Sequence, residues 1–300
     1  MAITAADVKA LREKTGAGMM DCKKALTEND GNVENAVDWL RKKGLAAAAK
    51  KAGRVAAEGL VSVAANADGT RAAVVETNSE TDFVARNDKF QDAAIQFADI
   101  ALQHNAKDVD ALKALEVPGK SHNVEAEVSE LIGVIGENIS LRRCATVEGD
   151  VVVTYIHNAV KDNLGKIGVI VAMKGDAAKA QEIGKQVAMH IAAIRPESLN
   201  VESLDPALVE RERAIFTEQA RASGKPDNII EKMIEGRIRK YYAEVVLLEQ
   251  AFVIDGKTPV KDVLSAAGLE VLSYVRFTLG EGIEKKEEDF AAEVAKTANA

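Results

Sequence analysis

Apolar positions along the chain recur with two periods, and the change of period divides it into segments. Over about the first 45 residues they recur at three and four. Val8 and Leu11 come first, then Met19, Cys22 and Leu26, then Val33, Ala36, Val37 and Leu40. The spacing predicts three short helices. Thr4-x-x-Asp7 offers a capping box for the first, and Thr15-Gly16-Ala17-Gly18 breaks it. Asn32 is placed to cap the third, and Gly44 to follow its end. From Gly59 to Glu76 the period shortens. Leu60, Val61 and Val63, then Ala72 to Val75, read as a β-hairpin turned by Asn66-Ala67-Asp68-Gly69. A polar loop, Thr77 to Asp82, precedes a helix with Phe90, Ala94, Phe97 and Ala101 on one face. Pro118-Gly119 interrupts, a helix follows over 124–135, and a strand over 139–147.

The same order then returns. Val151 to Ile156 and Ile167 to Met173 read as a second hairpin, and 177–194 as a second helix. The matching third strand is displaced to 272–279. Counted from Ile139 to Leu272, the offset is 133 residues, and at that offset Arg143 meets Arg276 and Glu148-Gly149 meets Glu281-Gly282. An internal repeat of this kind implies a duplicated α+β core with antiparallel sheets. The displacement makes room for an insertion. Asp205-Pro206 starts one helix, Gly224-Lys225-Pro226 reverses the chain, and Asp227 starts another running to about Val246. Ile230, Ile234, Ile238, Tyr241 and Val245 form a narrow stripe on the second helix, and Leu208, Ile215 and Ala222 recur at sevens on the first. This predicts a protruding antiparallel hairpin that buries little alone and calls for a partner such as a second copy of the chain.

Composition narrows the function. At 300 residues, 47% hydrophobic and 29% charged, the chain has the make-up of a soluble globular protein of two or three domains. Aromatics are 4%, which weighs against a large ligand pocket. The net charge of −8 is opposite to that of a whole-chain nucleic-acid binder. The basic stretch Arg41 to Arg54 reads as a helical linker, with an RNA-binding patch as its rival. Two cysteines, Cys22 and Cys144, are too few for a disulfide framework and are expected as buried free thiols of a reducing compartment. The N-terminus lacks a signal-peptide pattern, and no apolar run reaches the ~18 residues of a membrane span. A cytoplasmic protein without a membrane partner is expected.

Catalytic motifs are missing. Gly119-Lys120-Ser121 is like the end of a phosphate loop but lacks its first glycine. His190 lies on an apolar helix face and reads as a core histidine. Glu76, Asn78, Glu80 and Asp82 alternate like calcium ligands, yet Thr81 and Asn87 stand where a calcium loop needs glycine and glutamate. A metal-assisted hydrolase using Glu76, Glu80 and Asp82 is the alternative to a non-catalytic interaction protein. Phe83 carries two readings. It is a staple packed under the helix start, with Thr81 or Asp82 as cap, or it is an exposed aromatic beside an acid that inserts into a partner.

Thr15-Gly16-Ala17-Gly18-Met19-Met20-Asp21-Cys22-Lys23-Lys24-Ala25-Leu26 and Thr81-Asp82-Phe83-Val84-Ala85-Arg86-Asn87 resemble the two signatures of the bacterial elongation factor Ts family. The resemblance spans the chain, down to Gly280-Glu281-Gly282-Ile283-Glu284. It implies a ubiquitin-associated-like three-helix module and linker (1–55), core halves over 56–149 and over 150–202 with 247–281, a coiled-coil dimerisation hairpin (203–246) and a C-terminal helical module (282–300). The implied function is guanine-nucleotide exchange on elongation factor Tu, without bond-breaking chemistry or a cofactor. Thr81, Asp82, Phe83 and Val84 match the segment tied to loss of Mg²⁺ from the partner. Met19 and Met20 match contacts of the N-terminal module, Met20 being the more exposed of the two because Met19 shares the Cys22 and Leu26 face. His157 matches a histidine facing the partner. A homodimer is implied, and no direct nucleic-acid contact.

Overall fold

The computed structural model describes residues 3–222 and 226–284. The chain reversal at Gly224-Lys225 and all of the expected C-terminal module beyond Glu284 lie outside the described residues.

The N-terminal helices are α1 (Ala5–Thr15), α2 (Met19–Glu28) and α3 (Val33–Lys51). Thr4 Oγ1 accepts from the Asp7 N–H while the Asp7 carboxylate accepts from the Thr4 N–H, completing the capping box. Gly16 ends α1 at a φ of 68°, which favours glycine. Val8, Leu11, Cys22, Ala25, Leu26 and Ala36 close into one buried cluster. Gly44, however, does not end α3. The helix runs through the alanine-rich stretch to Lys51, with Gly44 buried inside it. The reason is a helix crossing. A Cβ built on Gly133 would lie 3.1 Å from the Gly44 Cα, and one on Gly44 would lie 3.4 Å from the Ser129 carbonyl oxygen. Glycine costs a helix interior about 1 kcal/mol, and close approach of the two helices offsets it.

The first half of the core runs β1 (Glu58–Ala65), β2 (Arg71–Ser79), α4 (Asp82–Ala85), α5 (Asp88–His104), α6 (Val109–Ala114), α7 (Val124–Ile135) and β3 (Ile139–Glu148). The second runs β4 (Val151–His157), β5 (Leu164–Gly165), β6 (Ile167–Lys174), α8 (Ala177–Ile194), α9 (Pro206–Ala222), α10 (Asp227–Val245), α11 (Val260–Ala267) and β7 (Glu270–Thr278). The sheets are antiparallel, ordered β3-β2-β1-β5 and β4-β6-β7. In each half the third strand pairs with the second strand of the hairpin, and each of these ladders carries one register shift. Both halves therefore repeat one topology, as the 133-residue offset implies.

Side chains alternate between layers. Leu60, Ala64, Ala73 and Val75 face the helices, whereas Val61, Val63, Ala72 and Val74 meet Val152, Ile170, Ala172 and Phe277 from the other sheet. Val151, Val153, Val169, Val171 and Met173 face α8. The order of layers is thus helix, sheet, sheet, helix. Gly168 permits the sheets to approach, since its Cβ would lie 2.6 Å from Val61 Cγ1. The short strand β5 is absent from the sequence pattern. It crosses from the second half to pair with β1.

Two more expectations change. Thr77 to Asp82 is not one loop, because β2 continues to Ser79 and buries Glu76, Thr77, Asn78 and Ser79. The ladder to β3 takes their backbone, and arginines on β3 take the Glu76 carboxylate. On α9 the sevens at Ile215 and Ala222 point outward. Ala220 is buried and Val209 and Phe216 are half-buried instead. The face toward α10 is displaced along the helix, with the Arg237 guanidinium 5.7 Å from the Phe216 ring centroid. Ile230 and Ile238 of α10 are buried as expected.

His190 is buried on α8, donating from Nε2 to Gln250 Oε1 (2.8 Å) and accepting at Nδ1 from the Val253 N–H (3.1 Å). Burial lowers its pKa below 6.5, against the opposing Gln250 hydrogen bond. Below pH 6.5 the unfolded chain therefore binds the proton more readily than the folded one, and stability falls until the native imidazole itself titrates. The melting temperature is expected to drop between pH 7.5 and 5.5, and less steeply in His190→Gln. Parallel slopes in the two proteins would remove His190 as the cause.

Candidate functional site

The end of β2 leads into a tight turn of chain held at both ends. The Glu80 carboxylate accepts from the Asn138 N–H and lies 3.5 Å from Arg54. Thr81 gives both its N–H (2.9 Å) and its hydroxyl (2.7 Å) to the Glu137 carboxylate. On the far side, Val84 and Ala85 are buried in the core with Phe90. Gln91 Nε2 donates to the Ala85 carbonyl, and Asn87 caps α5 by accepting from the Lys89 and Phe90 N–H groups. Between these anchors Phe83 is 74% exposed. The staple reading therefore fails. Val84, the next residue, takes the buried position, and Thr81 stands at the cap position without a side-chain capping bond. Val84 is thus an anchor of the turn rather than part of its exposed tip.

Asp82 sits beside Phe83 and accepts from Arg86 Nη2 (2.9 Å), one helical turn on. The same guanidinium lies 6.0 Å from the Phe83 ring centroid. The pair is exposed, so its contribution to stability is small. Its geometry holds an acid and an aromatic ring side by side on a rigid base.

Met20 is 76% exposed at the start of α2, and Met19 is 45% exposed. Met19, the first residue of α2, does not follow Cys22 and Leu26 into the cluster. Both methionines are available to a partner. Their turn is tied to the site by Lys89, which donates from Nζ to the Gly16 carbonyl (3.3 Å). From the other side, Lys161, in the β4–β5 connection, reaches Asp88 (3.2 Å). His157 is exposed at the end of β4, with Nδ1 3.0 Å from the Tyr155 hydroxyl. The start of α5, next to Phe83, therefore receives one contact from the N-terminal module and one from the second half of the core.

The hydrolase alternative finds no cluster. Glu76 is taken by Arg142, Arg143 and the Gly280 N–H, Glu80 by Asn138 and Arg54, and Asp82 by Arg86. Among the described residues the grouping with metal-ligand spacing is His122, Glu127 and Glu130. Cations already fill it. Lys120 Nζ lies 2.6 Å from Glu127 Oε1, and Arg41 donates from Nε to Glu130 (2.9 Å). Burial acts to raise the Glu127 pKa, but hydrogen bonds from Lys120 and His122 prevail and lower it. Lys120 of the phosphate-loop-like segment is thus committed to a carboxylate. Cys22 and Cys144 are buried free thiols, and burial with the nearby Asp108 charge pushes Cys144 up to about 12.

Four supporting residues escaped the sequence reading: Glu137, Arg86, Lys89 and Lys161. Arg86 had a local signal, its i,i+4 spacing from Asp82. Glu137 had none, because its partner Thr81 is 56 residues away.

A family profile described as Elongation factor TS matches residues 80–281, beginning at the anchored turn. The elongation factor Ts of Paracoccus denitrificans is 60% identical over 297 residues, covering 99% of each chain. That of Dinoroseobacter shibae is 59% identical over 299 residues, covering 100% of each, and that of Rhodospirillum rubrum 59% over 304, covering 98% of this chain and 97% of its own. With similarity running end to end and the family profile covering residues 80–281, the exposed aromatic turn included, the chain belongs to the elongation factor Ts family.

Proposed function

We propose that this chain is a guanine-nucleotide exchange factor, which binds GDP-bound elongation factor Tu and promotes replacement of GDP by GTP. The observation that carries the reading is Phe83, 74% exposed on a turn fixed by Glu137 on one side and by buried Val84 on the other. An exposed ring normally costs a protein little, but a ring carried on an anchored stretch of backbone is suited to enter a partner's pocket, because little backbone freedom is lost on docking. Phe83 wedges into the GTPase with Asp82 beside it, and Met19, Met20 and His157 make flanking contacts. Disturbing the partner's Mg²⁺ and phosphate ligands weakens GDP without touching the base. Linkage makes the effect mutual: if this chain weakens nucleotide binding, nucleotide weakens the chain's binding by the same factor. No bond is broken and this chain needs no metal of its own. We place the activity in the cytoplasm, without direct nucleic-acid contact. No helix among the described residues is long and apolar enough to cross a membrane.

The test is release of fluorescent GDP from elongation factor Tu with and without this protein. Faster release is expected, and an unchanged rate would overturn the proposal. In the same reading, 1–55 is a ubiquitin-associated-like module with its linker, 56–149 and 150–202 with 247–281 are the core halves, and 282–300 is a C-terminal module. Residues 203–246 are a coiled-coil hairpin that pairs with a second copy. The outward-facing Ile215 and Ile229 support the pairing. Deleting 205–243 is expected to give a soluble monomer by analytical ultracentrifugation. A mass that does not change with the deletion excludes the hairpin as the dimer contact.

A further inference from the structure

We propose that Glu137, at the corner between α7 and β3, is a positioning residue for nucleotide exchange, setting the direction in which the Phe83 ring projects. The role rests on the exchange activity proposed for the turn, and adds to it the residue that aims the ring.

The aim is set at Thr81, the residue from which α4 starts. All three of its hydrogen-bonding groups are engaged. Its N–H (2.9 Å) and its hydroxyl (2.7 Å) go to separate oxygens of the Glu137 carboxylate. Its carbonyl accepts from the buried Ser79 hydroxyl (3.0 Å). Phe83 follows two residues on, so any rotation of the Thr81 backbone swings the ring. Val84 and Ala85 hold the far end of α4 in the core. Four residues of helix are too few to keep an orientation of their own. Without Glu137 the near end keeps the Glu80 and Ser79 bonds, and neither of them holds the Thr81 N–H.

Glu137 is itself fixed. Gly136 ends α7 at a φ of 89°. Asn138 is buried, gives its N–H to Glu80 and donates from Nδ2 to the Arg54 carbonyl (2.8 Å). One corner thus holds the turn at two successive residues. The arrangement calls for a carboxylate, since two donors converge on it and an ionised acid offers two acceptor oxygens and no donor. The helix does not call for one, because a negative charge just past a helix C-terminus is unfavourable.

The test uses the full chain carrying Glu137→Ala, Glu137→Gln or Phe83→Ala, and Glu137→Ala together with Phe83→Ala. In the free protein, amide hydrogen exchange over residues 80–86 is expected to quicken about tenfold in Glu137→Ala. Release of fluorescent GDP from elongation factor Tu, with the variant at saturation, is expected to slow about tenfold in Glu137→Ala. Glu137→Gln, which keeps one acceptor oxygen, is expected to recover part of that rate. The double variant is expected to match Phe83→Ala alone, because a residue that acts through the ring has nothing left to aim. A merely structural loss would instead slow the native and Phe83→Ala backgrounds by the same factor, and would overturn the proposal. So would normal GDP release by Glu137→Ala beside slow release by Phe83→Ala, or amide exchange unchanged by Glu137→Ala. Normal release by Phe83→Ala would overturn the exchange reading of the turn, and the aiming role with it. Should Glu137→Ala not fold, Glu137→Gln and Thr81→Val, which removes only the hydroxyl bond, decide in its place.

Discussion

Replacing Phe83 by alanine is expected to slow the GDP release promoted by this chain about thirtyfold, with no change in melting temperature. The two halves of that result have separate causes. In the free protein the ring is 74% exposed, so its removal opens no cavity and uncovers no core. Surface substitutions of that kind shift stability by about 0.5 kcal/mol or less. In the complex the same ring would be a buried anchor, and losing one costs about 2 kcal/mol or more, which is a factor of about thirty. Asp82→Ala is expected to act in the same direction by a different route. It removes the acid and releases Arg86 from its 2.9 Å contact, leaving a cation beside the ring. The assay is stopped-flow release of fluorescent GDP at several concentrations of the variant. Concentration separates weaker docking, which excess variant restores, from a failure to displace the Mg²⁺ ligands, which it does not. Normal exchange by the Asp82→Ala/Phe83→Ala double variant would move the site away from this turn.

What made parts of this architecture legible in the sequence was local signalling. α7 and α8 begin and end where the pattern puts them, because Asn123 and Asp176 cap their starts and Gly136 and Arg195 adopt left-handed ends. Two misreadings depended on distant partners. Gly44 carries the mark of a helix stop, and only the approach of Gly133 explains why the helix continues. The polar end of β2 reads as a loop until Arg142 and Arg143, 66 and 67 residues away, are seen to hold Glu76. At the site, the sequence names the segment but cannot decide which of two adjacent apolar residues is buried. Phe83 and Val84 exchange roles if the turn rotates by one residue, and it is the grip of Glu137 on Thr81 that accompanies the observed choice. The displaced face of α9 is the same kind of error, since sevens spacing fits a helix equally well from Leu208 or from Val209.

Glu76→Ala is expected to destabilise the fold by about 3 kcal/mol, the lower end of what breaking a buried ion pair costs. Glu76 is fully buried on β2. Its carboxylate accepts from Arg142 Nη1 (3.2 Å to each oxygen), from Arg143 Nε (2.5 Å) and from the Gly280 N–H (2.8 Å). Each arginine also reaches the end of β7. Arg143 donates from Nη2 to the Thr278 carbonyl (2.7 Å) and lies 4.4 Å from the Phe277 ring centroid, and Arg142 donates to the Glu281 carbonyl. One buried carboxylate thus faces two cations where the two halves of the core join. Without it, Arg142 loses its counter-charge, Arg143 keeps only the more exposed Glu281 carboxylate (3.3 Å), and the Gly280 N–H loses its acceptor. The arginines are about a quarter exposed, so water relieves part of the loss, which is why the lower figure applies. Glu76→Gln keeps the shape and one acceptor oxygen, and is expected to cost about half as much, near the value of a hydrogen bond to a charged group. Urea unfolding measures both, with the slope unchanged and the midpoint lowered. A loss below 1 kcal/mol in Glu76→Ala would mean that the join between the halves rests on the apolar contact of the two sheets alone. The same pair of variants also separates this role from metal chemistry. A ligand-bearing Glu76 would register in a metal-dependent activity, whereas a counter-ion at the join registers in stability while the exposed Phe83 turn keeps its function per folded molecule.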